Sequence, residues 1–329
     1  MKVCLYLELE DKFKVAGIGS AIKNQRRALD LNGVEHTSNP KDKFDIIHIN
    51  TIGPKSLYHA KRAHLKGKKV VLHAHTTAED FSDSFFLSTK LYHPLRKYLS
   101  FYYNCGDIVL VPSGYTKQIL LSYGIKKPIK VISNGIEIEK FGNMGDKRNV
   151  YREKYGLRNT VVFSVGLVLP RKGIPTFIDT AEHFDNKFVW FGKIYRKLLS
   201  RKFIKLIDNP PGNVLFTNYV NDITAAYASG DIFFFPTRNE NQGIVILEAM
   251  AAKKPMVLRD IPVFDWLTHE KNCLKSQNRE GFVEQLQALM NDERLQKKLV
   301  QNAYRDVRDH SLEKVGGRLK GVYEEILSF

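Results

Sequence analysis

The amino-acid sequence predicts an α/β protein made of two Rossmann-like, doubly wound parallel sheets. Its 329 residues are long for one hydrophobic core but sufficient for two domains. Apolar runs of strand length alternate with segments of helical spacing in both halves of the chain. Runs such as DIFFFP, residues 231–236, are almost continuously apolar, which is typical of parallel strands that are buried on both faces.

Composition narrows the class of protein. Apolar residues make up 43% of the chain and charged residues 26%, as in soluble globular proteins. No stretch approaches the roughly 20 uninterrupted apolar residues that cross a bilayer. The opening residues, MKVCLYLELEDKF, lack a small-residue cleavage site and predict a first strand instead of a signal peptide. Three cysteines without metal-ligand spacing favour a reducing cytoplasm.

The chain is strongly basic. It carries 51 Lys and Arg residues against 35 Asp and Glu residues, a formal net charge of +16. Such an excess favours a polyanionic partner, whether nucleic acid, an anionic membrane surface or a diphosphate substrate. Composition alone does not distinguish among these partners.

The N-terminal half has the alternation of a doubly wound sheet. Strands are predicted at residues 2–9, 45–50 and 69–75, with helical segments between them at 16–33 and 56–65. Gly17 and Gly19 then fall at a strand-to-helix turn. Exposed N–H groups at a helix N-terminus suit a phosphate, and glycine lets the ligand approach the backbone. Both glycines are therefore candidate phosphate-binding residues, with a plain turn as the alternative.

Two histidines lie at the end of the third predicted strand. The alternation of a strand places His73 and His75 on the same face. His75 is nearer the carboxyl end, where open α/β sheets bind ligands, so it is the candidate site residue. We interpret His73 as structural.

Residues 81–104 are rich in aromatic side chains interleaved with cations. The candidate acceptor- or membrane-binding residues are Phe85, Phe86, Lys90, Arg96 and Lys97. A basic, aromatic amphipathic helix suits a membrane interface, with rings at the acyl boundary and cations near anionic headgroups. The alternative is a helix that packs its aromatic side chains against its own domain, and the sequence leaves both open. Pro94 predicts a break, and hence a helical hairpin.

The first half ends in a strand, a helix and a turn-rich linker. The run GDIVLVPS, residues 106–113, predicts a strand, and Ser113 is a candidate cap of the helix that follows. Residues 142–149 are charged and rich in turn formers, so the domain boundary is placed between residues 145 and 146.

A loop in the second half carries adjacent cations. Residues 160–174, TVVFSVGLVLPRKGI, predict a strand, a loop and the start of a helix. The loop contains Gly166, Arg171, Lys172 and Gly173. Cations at a helix N-terminus suit a diphosphate, which arginine can bind in a bidentate manner while glycine lets the backbone close in.

Two glutamates bracket the next strand-loop-helix unit. Glu240 and Glu248 are separated by seven residues that include Asn241, Gly243 and Ile244. A loop beyond the carboxyl end of a parallel strand, feeding a helix, directs both carboxylates at a bound molecule. Paired carboxylates accept hydrogen bonds from adjacent hydroxyls of a sugar or ribose. The alternative is an ordinary unit with two solvated glutamates.

The spacing of apolar residues predicts the remaining elements of the second half. Residues 186–207 predict a strand and a helix with six cations between Lys193 and Lys205. A solvated basic face is the ordinary interpretation, and contact with an anionic surface is the alternative. Two long helices are predicted at 279–309 and 312–327.

These motifs resemble the retaining glycosyltransferases of family GT4. The resemblance rests on the glutamate pair ending in EAMA, the Arg-Lys-Gly loop, and the run D-x-V-L-x-P-S. It implies the GT-B fold, with two Rossmann-like domains facing a central cleft. Residues 1–145 would form the acceptor or membrane domain and residues 146–311 the nucleotide-sugar domain. The final helix, about 312–329, would pack back on the first domain.

The resemblance also implies residue roles. Glu248 would bind the ribose, Glu240 the sugar, Arg171 with Lys172 the diphosphate, and His75 the transferred sugar. Gly17, Gly19, Gly166, Asn241, Gly243 and Ile244 would complete the donor site. No metal or other cofactor is expected. The chain departs from the commoner pattern at Leu167, where most members have arginine, so the arginine role falls to Arg171.

The segment HAHTTAEDFSDSFF resembles Gram-positive glycolipid synthases that add a second hexose to monoglucosyl diacylglycerol. This implies a UDP-glucose or UDP-galactose donor, a glycolipid acceptor and a peripheral enzyme on the inner, anionic face of the cell membrane. A transferase for capsule, exopolysaccharide or teichoic acid precursors is the alternative. A basic nucleic-acid-binding protein would share the net charge but would leave the glutamate pair unexplained, so no nucleic acid is expected.

Overall fold

A computed structural model of the chain describes residues 1–13, 17–82, 84–86, 88–142 and 144–328. The chain forms two compact units. Unit 1 contains Met1–Ser82, Thr89–Glu137 and the residues from Asp309 onward. Unit 2 contains Ile138–Arg308 together with a short segment around Phe85. The boundary predicted at residues 145 and 146 lies a few residues beyond the division at Glu137, and Asn143 of the predicted linker lies outside the described residues.

Unit 1 is built on a six-stranded parallel sheet in the order β2-β1-β3-β4-β5-β6. Its strands are β1 (Lys2–Tyr6), β2 (Glu35–Thr37), β3 (Ile46–Ile49), β4 (Lys69–His73), β5 (Ile108–Val111) and β6 (Ile129–Val131). Its helices are α1 (Glu10–Phe13), α2 (Gly17–Leu31), α3 (Pro54–Leu65), α4 (Ala78–Phe81), α5 (Tyr92–Tyr103) and α6 (Gly114–Ser122). β3 and β5 are buried along their whole length, as expected for central parallel strands.

Unit 2 has a second six-stranded parallel sheet, in the order β12-β11-β10-β7-β8-β9. Its strands are β7 (Val161–Val165), β8 (Lys187–Phe191), β9 (Val214–Asn218), β10 (Ile232–Phe235), β11 (Met256–Arg259) and β12 (Leu274–Ser276). Its helices are α7 (Lys147–Lys154), α8 (Ile174–Ala181), α9 (Arg201–Asp208), α10 (Ile223–Ser229), α11 (Ile244–Ala251), α12 (Arg279–Asn291) and α13 (Glu293–Val307). The predicted fold class, two doubly wound parallel sheets, is confirmed.

The last helix, α14 (Leu312–Leu327), belongs to unit 1 and packs on α2. Gly316 makes the close approach possible, because a Cβ there would lie 2.2 Å from the carbonyl oxygen of Ala28. Ser133 in unit 1 also contacts His310, just before the helix, at 2.9 Å. Along the described residues, no helix is long and apolar enough to cross a membrane.

The structure corrects the predicted hairpin in residues 81–104. Pro94 lies in the first turn of α5, where its missing N–H removes no intrahelical bond, so it does not break the helix. The side chains of Leu99, Tyr102 and Tyr103 are buried in the core of unit 1. For these residues the second interpretation, packing against the helix's own domain, is confirmed.

Two predicted helices differ from the structure at their ends, and one strand was not predicted. The basic helix expected after β8 begins only at Arg201, because Ser200 caps it by accepting a hydrogen bond from the Phe203 N–H. The helix predicted over 279–309 is divided at Asp292, which caps α13. The edge strand β2 was missed, because its sequence, EHT, is short and polar.

Candidate functional site

Two loops of unit 2 emerge side by side at one edge of the sheet. β7 and β10 are parallel neighbours, so their carboxyl ends meet at the same edge. The loop after β7 passes through Gly166 and a short 3₁₀ turn, Pro170–Lys172, before α8. The loop after β10 runs to Gly243, where α11 begins. Open α/β sheets bind ligands at this edge.

The two loops bring Arg171, Lys172 and Glu240 together. Lys172 Nζ donates to Glu240 Oε1, and Arg171 Nη1 lies 3.7 Å from the same oxygen. Only 8% of the Glu240 side chain is exposed, and 12% of each cation. Burial opposes ionisation of this carboxyl, but the charges of Lys172 and Arg171 outweigh it, so the pKa of Glu240 is lowered. Glu240 is therefore a buried carboxylate.

Hydrogen bonds that the sequence did not predict orient this cluster. Arg171 Nε donates to Ser84 Oγ at 2.7 Å, and Arg171 Nη1 donates to the carbonyl of Asn239 at 2.9 Å. Thr237 Oγ1 donates to Glu240 Oε1 at 3.0 Å. Thr237 follows Pro236, directly after the carboxyl end of β10. This position beyond a strand end is the sequence feature that could have identified Thr237 as a site residue. Ser84 is distant in sequence, and no local pattern indicates it.

Glycine permits the close approach of the two loops. Gly173 has φ +78°, and a Cβ there would lie 2.1 Å from the carbonyl oxygen of Pro236. No other residue type accommodates both the left-handed backbone and this contact. Gly243 has φ +80° and begins α11, so Ile244 follows as the first helical residue and Asn241 lies buried just before it.

Glu248 lies on α11, partly buried. It accepts a hydrogen bond of 2.8 Å from the hydroxyl of Tyr227, a residue that the sequence did not single out. Burial raises the pKa of Glu248, while the tyrosine bond and the charge of Lys140 oppose the change. The carboxyl therefore has a polar partner on the same unit as the Arg171 cluster.

In unit 1 the candidate residue His75 belongs to a network at the carboxyl ends of β3 and β4. The rings of His73 and His75 stack with centroids 4.1 Å apart, so the predicted common face is confirmed. His73 is buried, and its Nδ1 lies 3.0 Å from Gln25 Nε2 and 3.1 Å from His48 Nε2. These contacts agree with a structural role. On its other side, His48 Nδ1 contacts the hydroxyl of Tyr323 on α14 at 2.6 Å.

Asn50 orients His75. Asn50 Oδ1 lies 2.8 Å from His75 Nε2 and accepts a second hydrogen bond, of 2.9 Å, from Gln25 Nε2. Burial lowers the pKa of His75 to about 3, so the ring is neutral near pH 7. With an amide oxygen facing Nε2, the single ring proton resides on that nitrogen. Asn50 directly follows β3, and the sequence analysis did not identify it as a site residue.

The other predicted site residues are dispersed. Gly17 is the first residue of α2 and Gly19 is buried in its first turn, while residues 14–16, which precede them, lie outside the described residues. Phe85 packs against the core of unit 2, and Phe86 is exposed on that unit.

Lys90, Arg96 and Lys97 lie on unit 1. Arg96 donates to the carbonyl of Ser122 at 2.7 Å. The five residues predicted for acceptor or membrane binding therefore belong to two different units. Among the described residues, no three His, Cys, Asp or Glu side chains are grouped so that they could hold a metal ion.

Comparisons with known proteins agree with this architecture. Residues 147–306 match the family described as Glycosyl transferases group 1, and residues 21–140 match Glycosyltransferase Family 4. The chain is 36% identical to the processive diacylglycerol alpha-glucosyltransferase of Acholeplasma laidlawii, over 99% of both chains. It is 25% identical to the alpha-galactosylglucosyldiacylglycerol synthase of Streptococcus pneumoniae, over 93% of this chain and 85% of that relative.

The fold has counterparts among solved structures. The Anabaena protein HepE, in complex with UDP and glucose, matches with a TM-score of 0.80 at 16% identity, over 99% of this chain and 100% of that one. The two parallel sheets and this match identify the GT-B fold. Together with the family matches and the full-length relative, they show that the chain belongs to glycosyltransferase family 4.

Proposed function

We propose that this glycosyltransferase moves a hexose, glucose or galactose, from a UDP-sugar to monoglucosyl diacylglycerol, with retention of anomeric configuration. The observation that carries the proposal is the buried cluster of Arg171, Lys172 and Glu240 at the carboxyl edge of the second sheet. Two relatives with full or nearly full coverage are named for diacylglycerol glycolipids, which supports this acceptor class.

The cations of the cluster suit the leaving group. Lys172 and Arg171 both lie against the carboxylate of Glu240. The diphosphate of a UDP-sugar competes for the same cations. When the bond between the anomeric carbon and the β-phosphate oxygen breaks, negative charge develops on that oxygen. Cations already oriented toward that charge lower the energy of the transition state.

The remaining roles follow the chemistry of each side chain. Glu240 accepts from hydroxyls of the transferred sugar, and Glu248 accepts from the ribose. Neutral His75, oriented by Asn50, contacts the transferred sugar. The acceptor hydroxyl attacks the face that the diphosphate leaves, and its proton passes to the departing phosphate oxygen. We assign no step to a metal ion or other cofactor.

We further propose that the enzyme works as a peripheral protein on the inner, anionic face of the cell membrane. The lipid acceptor resides in a bilayer, and the net charge of +16 favours an anionic surface. Nucleic acid is not a partner in this proposal, because a nucleic-acid-binding protein would leave the glutamate pair and the Arg-Lys-Gly loop unexplained.

The test is transfer from labelled UDP-glucose and UDP-galactose, in parallel, to vesicles that contain monoglucosyl diacylglycerol. Vesicles with diacylglycerol alone, with and without anionic lipid, serve as comparison. We expect one donor to give a diglycosyl lipid with an α linkage, in larger yield with anionic lipid. Donor hydrolysis without any lipid product would overturn the acceptor assignment. Salt-sensitive DNA binding without donor turnover would overturn the enzyme assignment in favour of a nucleic-acid-binding protein.

A further inference from the structure

An exposed apolar pair lies on unit 2. Phe86 is 67% exposed and Leu198 is 45% exposed. The Phe86 N–H donates to the carbonyl of Leu198 at 2.9 Å, which holds the two residues together. The adjacent Phe85 packs against the core of the unit and fixes the segment there. The two side chains are therefore adjacent exposed apolar surface that is not part of the core of unit 2.

Cations lie close to Leu198 in the sequence, on the 3₁₀ turn that contains it and at the start of α9. Lys197 precedes Leu198, and Arg201 and Lys202 form the first turn of α9. α9 buries Phe203 and Ile207, so its basic face is directed to solvent. Within the described part of the chain, Lys197, Arg201 and Lys202 have no ion pair with a carboxylate. Arg196 differs, because it binds Asp208 through two hydrogen bonds of 2.6 and 2.9 Å.

We propose that Phe86 and Leu198, with Lys197, Arg201 and Lys202, form the surface of unit 2 that docks on an anionic bilayer. We call these five residues the docking patch. The two apolar side chains enter the acyl boundary, and the three cations contact anionic headgroups. Two exposed apolar side chains, together with three cations that have no carboxylate partner among the described residues, fit a lipid surface with anionic headgroups.

This assignment rests on the proposed function, which requires the enzyme to reach a lipid acceptor. The sequence analysis left membrane contact by residues 81–104 open, and it gave contact with an anionic surface as the alternative for the basic helix between Lys193 and Lys205. The docking patch combines Phe86 of the first segment with cations of the second. In the structure the helix of the first segment, α5, buries its aromatic side chains in unit 1. α5 still exposes Phe101, at 53%, and this residue offers a matched control.

The experiment is sedimentation of the full-length protein with vesicles of phosphatidylcholine, with or without 30% phosphatidylglycerol (roughly the charge density of an anionic leaflet). The variants are F86A/L198A and K197Q/R201Q/K202Q. The controls are F101A and K41Q/K43Q/K66Q, which alter exposed residues of unit 1. Thermal unfolding checks that each variant is folded.

We expect F86A/L198A to bind both vesicle types roughly tenfold more weakly, because two inserted apolar side chains are lost. The triple variant should bind anionic vesicles at least tenfold more weakly and neutral vesicles as wild type does, since each cation near an anionic surface raises the affinity about fivefold. It should hydrolyse UDP-sugar at the wild-type rate. The affinity of both controls for vesicles should lie within about twofold of the wild-type affinity.

The docking patch would be overturned if both patch variants bound vesicles as tightly as the wild type, or if F101A lost as much affinity as F86A/L198A. This outcome is separable from failure of the proposed function. If the wild type makes glycolipid while the patch variants bind normally, the patch is wrong and the function stands. If the patch variants lose binding but no lipid product forms with wild type, the patch stands and the acceptor assignment is wrong.

Discussion

At the scale of single residues, the structure explains how Glu240 stays ionised although its side chain is buried. A carboxylate this buried is costly unless cations and hydrogen bonds offset its loss of hydration. Lys172, Arg171 and Thr237 supply both. Removing one partner of such a cluster leaves an uncompensated charge and costs roughly 3–5 kcal/mol. Loss of any one partner should therefore destabilise the fold as well as alter the proposed donor site.

Residue types and spacing were sufficient to predict Arg171, Lys172 and Glu240 as candidates, and the structure brings these three together. Their roles in binding a donor stay predictions. Ser84 and Asn50 were missed for a physical reason. Each acts through a contact between distant segments, with Arg171 and with His75, and a local pattern carries no signal of such a contact.

The pair of Asn50 and His75 predicts a pH dependence. Burial lowers the pKa of His75 to about 3, so the ring stays neutral across pH 5–8 and transfer should show no decline that is due to this histidine. The substitution Asn50→Asp places a carboxylate beside Nε2, which favours the imidazolium and raises the pKa of His75. Transfer by this variant should then fall as the pH decreases through the raised pKa.

The measurement is the transfer rate of wild type and variant at constant ionic strength from pH 5 to 8. Asn39→Asp, at an exposed asparagine of unit 1, is the control and should follow the wild type. A wild-type rate that halves near pH 6.5, the ordinary pKa of histidine, would contradict the neutral, Asn50-bound ring.

At the scale of elements, the proposed donor site depends on the contact between the loops that follow β7 and β10. Arg238 N donates to the carbonyl of Arg171 at 2.8 Å, so the two backbones are directly joined. Gly173 lies at the point where they come closest. The close approach of α8 to the second loop therefore requires a residue without a side chain at position 173.

The substitution Gly173→Ala should disturb both stability and donor binding. The left-handed backbone alone costs about 1–2 kcal/mol for alanine, and the contact with Pro236 displaces the loop further. We expect a lower thermal midpoint and UDP-glucose affinity reduced by tenfold or more (about 1.4 kcal/mol), measured by calorimetry. Gly212→Ala is the control, since a Cβ there meets nothing within 4 Å. Unchanged affinity in G173A would show that the loop contact does not shape the donor site.

Element boundaries were the weakest part of the sequence-based predictions. Apolar spacing indicated one helix after β8, but Ser200 and Asp292 interrupt predicted helices by capping new ones. A capping side chain competes locally with the helical backbone, and its effect depends on the direction of the chain that enters. Pro94 was misread for the related reason that proline is tolerated in a first turn.

At the scale of the whole molecule, the two parallel sheets could be predicted because buried parallel strands are marked by continuous apolar runs. β10, with the sequence IFFF, is the plainest case. Only the family resemblance predicted that α14 belongs to unit 1. The residues of the helix, Leu312–Leu327, contain no pattern that indicates which sheet it covers. Its packing on α2 depends on Gly316, whose significance appears only in three dimensions.

The most direct test of the central claim concerns Arg171, the cation proposed to stabilise the leaving diphosphate. UDP-glucose affinity and single-turnover transfer should be measured on the same preparations of wild type, Arg171→Ala and Arg238→Ala, the last being an exposed arginine of the second loop. If the charge acts mainly in the transition state, R171A should lose about 100- to 1000-fold in transfer rate and only a few-fold in affinity, while R238A resembles wild type. Equal losses of rate and affinity in R171A would contradict the account, because they would mean that Arg171 only holds the donor.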